Sequence, residues 1–406
     1  MPLRKNATRD EIFALVEELS KEFARTYPGR DAAFQYPREE METLKASGLV
    51  RLPVPIEHGG CGLSVSEMVE LTRILARGNP SIAQMYAVHV VEVLQAVEHL
   101  AAPALKKRVY RAIVEENAFL SNASSERHSR DPMSWTTTFT TDPAGKGVII
   151  NGEKFYSTGS AASDYLYVPG ILDGEGIIAF VPTRSEGVEL VDNWRTMGQR
   201  GTSSGTTLFK NVFVPWDSVT RHAFAMGEAD PRNFFAPITQ GFFAAVFLGA
   251  AQGALEAAIE FVKTKSRPWT FGGVQRAVED PYIIQAVGRM SASVRAAQAL
   301  LREAEQVVDA KLKVLESDNL DQIAQARAEA MVVVAEAKVI CTDVALQVCL
   351  DVFKVCGTRA AMADQDFDRF LRDVRTLTLH DPVEYKAKLI GDFYLQGKFP
   401  FPSFIS

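Results

Sequence analysis

The sequence predicts an α+β fold with an N-terminal helical domain, a middle antiparallel β domain and a C-terminal helical bundle. Apolar residues recur at helical spacing in residues 1–118 and again in 226–406, which is typical of helices with one buried face. Residues 119–225 instead carry β-branched or alternating segments separated by turn groups, as in an antiparallel sheet. A chain of 406 residues is long enough for two or three domains.

Two capping boxes mark helix starts in the first part. Thr8 with Glu11 precedes one apolar-periodic segment, and Ser64 with Glu67 precedes another. In such a box each side chain accepts a hydrogen bond from the other residue's backbone N–H, so a helix is predicted to begin at each position. A glycine-rich connection lies between them, with the sequence PIEHGGCGLS.

The middle and last parts differ in the type of segment they contain. The predicted strands are WTTTFTTD, GVIINGEKFYSTG, DYLYVPGILD, GIIAFVPT and GTTLFKNVFVP. The predicted long helices are AAVFLGAAQGALEAAIEFVKTK, YIIQAVGRMSASVRAAQALLREAEQVVDAKL and IAQARAEAMVVVAEAKVICTDVALQVCLDVFKV. Helices of this length favour an antiparallel bundle whose faces pack on one another or on another subunit.

A helix stop near the C-terminus draws attention to His380. In RDVRTLTLHDPVEYK, Pro382 cannot continue a helix and disfavours helical conformation in the residue before it. Asp381, Pro382 and Glu384 then suit the N-cap, N1 and N3 positions of a new helix. His380 is therefore predicted to lie in a tight corner, where the negative end of the first helix favours its protonated form. The alternative is a surface turn with an incidental histidine.

Composition and charge restrict the partners. The 44 Lys and Arg residues are outnumbered by 50 Asp and Glu residues, so a nucleic-acid partner is not expected. The four cysteines have no CxxC spacing and suit a reducing compartment. No secretory signal follows the start of the chain, and the apolar run 242–251 is too short to span a bilayer. These features predict a soluble cytoplasmic protein with no membrane partner.

The sequence context argues against a nucleophile elbow, a dinucleotide-binding loop and a metal site. GTSSG at 201–205 matches GxSxG, but a nucleophile elbow is followed by a helix, and here a predicted strand follows. HGGCG lacks the strand and the glycine spacing of a dinucleotide-binding loop. The six histidines include no pair three or four residues apart, so no metal site is expected.

Isolated polar residues remain as candidates before the sheet, each with a structural alternative. His89 lies on an otherwise apolar helix, where a lone histidine is more often a satisfied core residue than a catalytic one. Asn122 and Ser124 follow a hydrophobic segment. They offer amide and hydroxyl groups to a ligand, or they form a simple turn.

Two arginines near helix ends are further candidates. Arg267, with Trp269 two residues later, offers a guanidinium and an aromatic ring to a phosphate or a ring system, or caps the surface. Arg359 follows a predicted helix end and is a candidate anion contact.

Together, these segments resemble the acyl-CoA dehydrogenase family in order and over nearly the whole chain. PIEHGGCGLS resembles the family's PEE-GG-G-L-S connection. NGEKFYSTG resembles its G-x-K-x-(W/F)-I-(S/T)-N strand, in which Tyr156 and Thr158 take the places that face the flavin. MGQRGTSSGTTLFKNVFVP resembles its strand pair, and SRPWTFGG its arginine–aromatic–glycine segment, which commonly reaches a cofactor across a subunit boundary. The resemblance implies an N-terminal helical domain, a middle β domain and a C-terminal four-helix bundle.

Departures from the family pattern bear on the activity. The dehydrogenases abstract a proton with a glutamate, often in an E-G-T turn near the C-terminus, where this chain has His380. The segments that hold flavin and CoA in the family are replaced by NASSERHSRDP, GFFAAVFLGAA and FKVCGTRAA. Because enolate formation needs a base beside the substrate α-carbon, β-oxidation chemistry is not expected. An acyl-CoA dehydrogenase-type flavoenzyme with a displaced base is the alternative, and a non-catalytic flavoprotein is the third hypothesis.

The segment RTLTLHDPVEYK and the C-terminal segment KFPFPSFIS resemble those of the two-component (group D) flavin monooxygenase branch of this fold. That resemblance implies reduced FMN, with FAD as the alternative, supplied by a separate reductase to a homotetramer. It also implies a C4a-hydroperoxide that is shielded from water and oxygenates a small sulfur, nitrogen or aromatic, indole-like substrate. One departure is Leu377, where the branch often has a second histidine.

The resemblance implies roles for the candidate residues. His380 would donate or relay a proton, with His89 as a second polar wall and Thr158 beside the N5 edge of the flavin. The other implied assignments are Asn122, Ser124 and Tyr156 at the flavin, Arg267, Trp269 and Arg359 at its phosphate from adjoining subunits, and Met85, Trp194, Phe242 and Phe243 in the substrate pocket.

Overall fold

Five α-helices form the first part of the computed structural model, which describes residues 3–4, 7–127, 135–221 and 230–400. They are α1 (Arg9–Ala32), α2 (Arg38–Ser47), α3 (Val65–Gly78), α4 (Pro80–Val91) and α5 (Pro103–Glu116). Both predicted capping boxes are confirmed: Thr8 and Glu11 cap α1 reciprocally, and Ser64 and Glu67 do the same for α3. Local sequence therefore determines where these two helices start.

A π-helix continues α4 without a break. It spans Glu92–Leu100, a length that is rare for this type of helix, and π-helical turns are frequent at functional sites. The turn places the buried side chain of Glu92 next to Asn122 at the end of the first strand.

The middle part is a single sheet, with eight strands among the residues described. They are β1 (Leu120–Asn122), β2 (Thr138–Thr141), β3 (Gly147–Lys154), β4 (Tyr165–Leu172), β5 (Glu175–Pro182), β6 (Val188–Val191), β7 (Thr206–Pro215) and β8 (Val219–Arg221). Their order is β6-β7-β3-β2-β4-β5-β8, with β1 beside β4. Most pairs are antiparallel as predicted, but β1–β4 and β2–β4 are parallel, so the sheet is mixed.

Long helices form the last part of the chain. They are α6 (Phe235–Thr264), α7 (Pro281–Leu312), α8 (Leu320–Cys356), α9 (Asp368–Thr378) and α10 (Val383–Gln396). Helix α6 is long and apolar enough to cross a membrane by length and composition, but 78% of its most apolar window is buried inside the protein. It packs against α3, α7, α8 and α9. A helix that is apolar all round is expected at the centre of such a core.

The predicted corner between α9 and α10 is present, but its predicted cap is wrong. Pro382 occupies the N-cap of α10 and makes no side-chain capping bond. Asp381 is only 3% exposed, and its carboxylate forms ion pairs with Lys338 and Lys386. Charge pairing across the fold therefore replaces local capping at this position.

The division into domains 1–118, 119–225 and 226–406 stays a prediction. Helix α5 ends at Glu116 and β1 begins at Leu120. The second boundary, at 225/226, lies outside the described residues. So do residues 128–132 of the NASSERHSRDP segment and 401–406 of the C-terminal tail.

Candidate active site

The corner between α9 and α10 presents His380 to helix α6. The His380 ring lies edge-on to the ring of Phe243, with centroids 4.6 Å apart. Phe243 is buried, whereas His380 is exposed. Neither ring nitrogen of His380 bonds to another residue that the structure describes. Packing therefore holds the ring while its two nitrogens stay available.

A buried charge cluster lies directly beside His380. Asp381 Oδ2 is 3.1 Å from Lys338 Nζ and 2.8 Å from Lys386 Nζ, and Lys338 also donates to the side-chain oxygen of Gln240. Burial alone would raise the pKa of Asp381, but the two ammonium groups outweigh it and lower that pKa. An ionised carboxylate with two ammonium groups leaves an excess of positive charge next to the imidazole.

This environment keeps His380 neutral. Although His380 is exposed on one side, desolvation by the protein packed around it, together with the charges of Lys338 and Lys386, lowers its pKa to about 4 against the opposing charge of Asp381. The prediction that the helix end favours the protonated form is wrong, because desolvation and two full charges outweigh the partial charge of a helix terminus. At neutral pH the ring has one N–H to donate and one lone pair to accept.

Helix α4 holds His89 in a different way. Its Nε2 lies 2.8 Å from the carbonyl oxygen of Val50, and the backbone N–H of Leu120 donates to its Nδ1 at 3.0 Å. Because a carbonyl can only accept, Nε2 carries the proton. The ring stacks on Phe119 with centroids 4.7 Å apart, and burial lowers its pKa to about 4. With both nitrogens occupied by backbone groups, the geometry favours a structural role for His89 over the predicted catalytic one.

Asn122, at the end of β1, donates to a buried carboxyl group. Its Nδ2 lies 3.3 Å from Glu92 Oε1. Glu92 is 2% exposed, and within the described ranges its Oε2 has no partner. Burial raises the pKa of Glu92 to about 8, so this side chain is protonated at neutral pH. Asn122 is thus engaged with an acid that the sequence does not single out.

Ser124 lies in the segment that follows β1. Its carbonyl oxygen accepts from Lys154 Nζ at 3.2 Å, and Lys154 forms a buried ion pair with Glu126 at 2.9 Å. This pair fixes the segment to the sheet, and the role of Ser124 at a flavin stays a prediction.

Thr158 belongs to a chain of three buried hydroxyl groups, hereafter the hydroxyl chain. Its Oγ1 is 2.9 Å from Ser204 Oγ, which is 2.7 Å from Thr202 Oγ1. The N–H of Gly159 donates to the carbonyl oxygen of Thr202 at 2.8 Å, which ties the two segments together. Thr158 is the most accessible of the three residues, at 8%. It therefore presents a hydroxyl group at the edge of a rigid wall.

Aromatic rings flank Thr158. Tyr156 is 54% exposed and has a φ of 59°, a strained conformation for a residue other than glycine. Its ring centroid lies 5.9 Å from that of the half-buried Trp194, and Phe155 contacts both rings. Trp194 Nε1–H donates to the carbonyl oxygen of Gln199 at 2.9 Å. The structure thus brings Tyr156, Thr158 and Trp194 together, while their roles stay predictions.

Helix α9 is fastened to the turn that supports the hydroxyl chain. The buried Asp373 accepts from the backbone N–H of Gln199. A Cβ at Gly198 would lie 2.1 Å from the carbonyl oxygen of Arg372, so only glycine allows this close approach. His380 follows Asp373 by seven residues, about 10 Å at the rise of a helix. The corner and the hydroxyl chain are therefore linked through one helix.

The remaining pocket candidates are apolar and buried. Met85 and Phe242 are fully buried, and Phe243 is 6% exposed. A Cβ at Gly159 would lie 3.5 Å from Met85, so Met85 packs against the residue that follows Thr158. Of these side chains, Phe243 is the one that contacts His380.

Arg267, Trp269 and Arg359 lie at the far end of α6. Arg359 Nη1 donates to the carbonyl oxygen of Lys265 at 2.6 Å, and Trp269 is 68% exposed. Across the described part of the chain, no hydrogen bond, ion pair or ring contact joins them to the corner or to the hydroxyl chain. That they bind the flavin phosphate of an adjoining subunit stays a prediction.

Sequence reasoning missed most of the groups that support the site. They are Glu92, Gln199, Thr202, Ser204, Lys338, Asp373 and Lys386. The GTSSG segment, which does not form a nucleophile elbow, supplies Thr202 and Ser204. The only signal for its place beside Thr158 was the resemblance of MGQRGTSSGTTLFKNVFVP to the family's strand pair. The buried lysines and Asp373 carry no local signal, because their partners are distant in sequence.

Known proteins match this chain over nearly its full length. The family models for the acyl-CoA dehydrogenase N-terminal and C-terminal domains match residues 4–117 and 242–385. A dibenzothiophene monooxygenase of Mycolicibacterium goodii is 37% identical over 99% of this chain and 98% of its own length. The probable FMNH2-dependent monooxygenase SfnC of Pseudomonas putida is 29% identical over 97% of both chains. The crystal structure of TdsC from Paenibacillus sp. A11-2 with FMN and indole has a TM-score of 0.89 at 34% identity, covering 97% of this chain and 99% of that one.

Proposed function

This chain belongs to the acyl-CoA dehydrogenase family, and we propose that it acts as an FMNH2-dependent monooxygenase of the two-component type. The substrate that receives the oxygen atom is a small compound with a sulfur, nitrogen or aromatic nucleophile. Support comes from the dibenzothiophene monooxygenase relative and from the TdsC structure with FMN and indole.

The residues of the site fit reduced FMN. Thr158 offers a largely buried hydroxyl group for the polar edge of a flavin, near the exposed Tyr156 ring and the half-buried Trp194 ring. When bound, reduced FMN supplies the electrons that activate O2, so that one oxygen atom enters the substrate and the other leaves as water.

The observation that carries the proposal is the pairing pattern at the corner. A dehydrogenase needs a free carboxylate base, but the carboxylate of Asp381 is held by Lys338 and Lys386. His380 beside it is neutral and has both ring nitrogens available among the described residues. It can therefore hold a proton at one nitrogen and accept one at the other, as oxygen transfer requires. Phe243 covers one edge of the ring with apolar surface.

The other residues position rather than react. His89 joins α4 to the segments around Val50 and Leu120. Asn122 is oriented by the protonated Glu92. Met85 packs against Gly159, and Phe242 is fully buried beside Phe243 in α6, so both add apolar surface that excludes water.

The full enzyme includes partners. It works as a cytoplasmic homotetramer that receives its FMNH2 from a separate flavin reductase, and Arg267, Trp269 and Arg359 bind the flavin of a neighbouring subunit. Exposed aromatic and aliphatic side chains support an assembly: Trp269 is 68% exposed, and Phe271 and Leu395 are each 85% exposed. Light scattering on the FMN-bound protein measures the oligomeric state. A monomer that binds FMN as tightly as the assembled protein would contradict the proposed flavin contacts between subunits.

Isotope labelling tests the reaction. The protein is supplied with FMN, NADH, a flavin reductase and 18O2, with dibenzothiophene and indole as probe substrates. Incorporation of one 18O atom per product molecule is expected. If oxygen is consumed without any labelled product, while an acyl-CoA thioester bleaches the protein-bound flavin, the chain is a dehydrogenase instead.

A further inference from the structure

The hydroxyl chain ends on a carbonyl group. Thr202 Oγ1 lies 2.9 Å from the carbonyl oxygen of Gln199, and the chain continues from Thr202 through Ser204 to Thr158. Thr202 is fully buried and Ser204 is 2% exposed. The carbonyl oxygen also accepts from Trp194 Nε1–H, which fixes its place.

This end point sets the direction of every proton in the chain. Two oxygen atoms at hydrogen-bond distance need a proton between them, and a carbonyl group has none to give. Thr202 therefore donates to Gln199. Each hydroxyl group has one proton, so Ser204 must donate to Thr202, and Thr158 must donate to Ser204.

Thr158 is left with a lone pair and no free proton. Its hydroxyl proton is committed to Ser204, and its carbonyl oxygen already accepts from Ser121 Oγ. A ligand atom that reaches Thr158 Oγ1 must therefore be a donor. The N5 position of a flavin changes character with redox state: it is an acceptor in the oxidised form and carries N–H in the reduced form.

We propose that Ser204 and Thr202 act as positioning residues, which orient the Thr158 hydroxyl so that the site selects reduced over oxidised FMN. This proposal rests on the proposed function, because that function is what brings a flavin to Thr158. An enzyme that borrows FMNH2 from a reductase needs this preference, since oxidised FMN would otherwise compete for the site.

The local structure keeps the chain from rearranging. Besides the bond from Gly159 to the Thr202 carbonyl, Ser160 Oγ donates to the carbonyl oxygen of Ser203 at 3.1 Å. A Cβ at Gly201 would lie 3.2 Å from Ser81 Cβ on α4, so the turn is also packed from behind. With both segments fixed, Ser204 stays within hydrogen-bond distance of both Thr158 and Thr202.

The reduction potential of protein-bound FMN tests the proposal. It is measured by anaerobic spectroelectrochemical titration of the FMN-saturated protein. Ser204→Ala frees the Thr158 proton to bond to oxidised N5, so the preference for reduced FMN should fall about tenfold, the value of one hydrogen bond. For a two-electron couple this lowers the bound potential by about 30 mV.

Matched variants separate proton direction from structure. Thr202→Val should lower the potential in the same way, whereas Thr202→Ser, which keeps the hydroxyl, should retain the wild-type value. Thr158→Val should lower it at least as much as Ser204→Ala. Thr264→Val, at an exposed threonine on α6, should leave it unchanged. If Ser204→Ala fails to fold, Thr202→Val and Thr202→Ser supply the same contrast.

Two outcomes count against the idea in different ways. If Thr158→Val lowers the potential but Ser204→Ala and Thr202→Val keep the wild-type value, Ser204 and Thr202 do not orient the Thr158 hydroxyl, and the proposal is wrong. Failure of the wild-type protein to bind FMN in either redox state would refute the proposed function, and this proposal with it.

Discussion

The α4 region, with His89 and Glu92, and the corner, with His380 and Asp381, use the same residue types in opposite ways. In the α4 region, backbone groups occupy both nitrogens of the histidine, while Glu92 Oε2 has no partner among the described residues. In the corner, two lysines occupy the carboxylate, while the histidine nitrogens are available. Both imidazoles are neutral, with pKa values of about 4. A neutral imidazole is therefore not in itself a sign of catalysis, and the pairing of its nitrogens is what separates the two roles.

Replacing His380 should have the largest effect. His380→Asn removes the proton-transfer group, so the rate of substrate oxygenation should fall by roughly 10²–10⁴-fold, while the thermal unfolding midpoint changes little. The coupled oxygenation assay and thermal unfolding are measured on the same preparations. His58→Asn, at an exposed histidine, is the matched control and should keep its activity. If His380→Asn is fully active, available ring nitrogens do not mark a catalytic histidine, and the comparison of the two regions is wrong.

Replacing His89 should affect stability instead. His89→Leu leaves the Val50 carbonyl and the Leu120 N–H unpaired in a buried site. The free energy of unfolding should fall by about 2–4 kcal/mol, as measured by urea denaturation. His58→Leu should stay within about 0.5 kcal/mol of wild type. If His89→Leu keeps the wild-type stability but loses turnover, His89 has a catalytic role and not a structural one.

Glu92 should make the stability of the α4 region depend on pH. Burial raises its pKa from 4.5 to about 8, so between these values the folded state keeps a proton that the unfolded state loses. Its contribution to stability is therefore present at low pH and is lost as the pH rises through this window. Glu92→Gln, which mimics the protonated acid, should gain about 3 kcal/mol relative to wild type between pH 5 and pH 8.

Urea denaturation at the two pH values measures this gain. Glu116→Gln, at an exposed glutamate on α5, controls for the substitution itself and should show no comparable gain. A difference between Glu92→Gln and wild type that is the same at both pH values would mean that Glu92 is ionised and paired.

Features that depend on neighbouring residues were predictable from the sequence. The capping boxes at Thr8 and Ser64 formed as predicted, because a capping bond spans only three residues. The turn at Pro382 also lies where proline chemistry places it. The order of helical, strand and helical parts followed from hydrophobic periodicity alone.

Features that depend on packing were not predictable. Asp381 has the sequence context of an N-cap, but it pairs with Lys338, 43 residues earlier in the chain. The neutral state of His380 depends on the same lysines and on desolvation by distant parts of the chain, neither of which the neighbouring sequence reveals. The two parallel strand pairs and the contact between Thr158 and Ser204, 46 residues apart, likewise exist only in the folded chain.

Lys386 provides the smallest and most specific test of the comparison. Its charge helps to hold the pKa of His380 below the ordinary value, so Lys386→Met should raise that pKa. Because activity requires the neutral imidazole, the loss of activity at acidic pH should begin at a higher pH than in wild type. The ring is partly open to solvent, which screens charges, so we expect a shift of about one pH unit at most. Lys388→Met, on the exposed face of the same helix, should leave the pH profile unchanged. An acidic limb that moves equally in both variants would show that general surface charge, and not the cluster around Asp381, sets the protonation of His380.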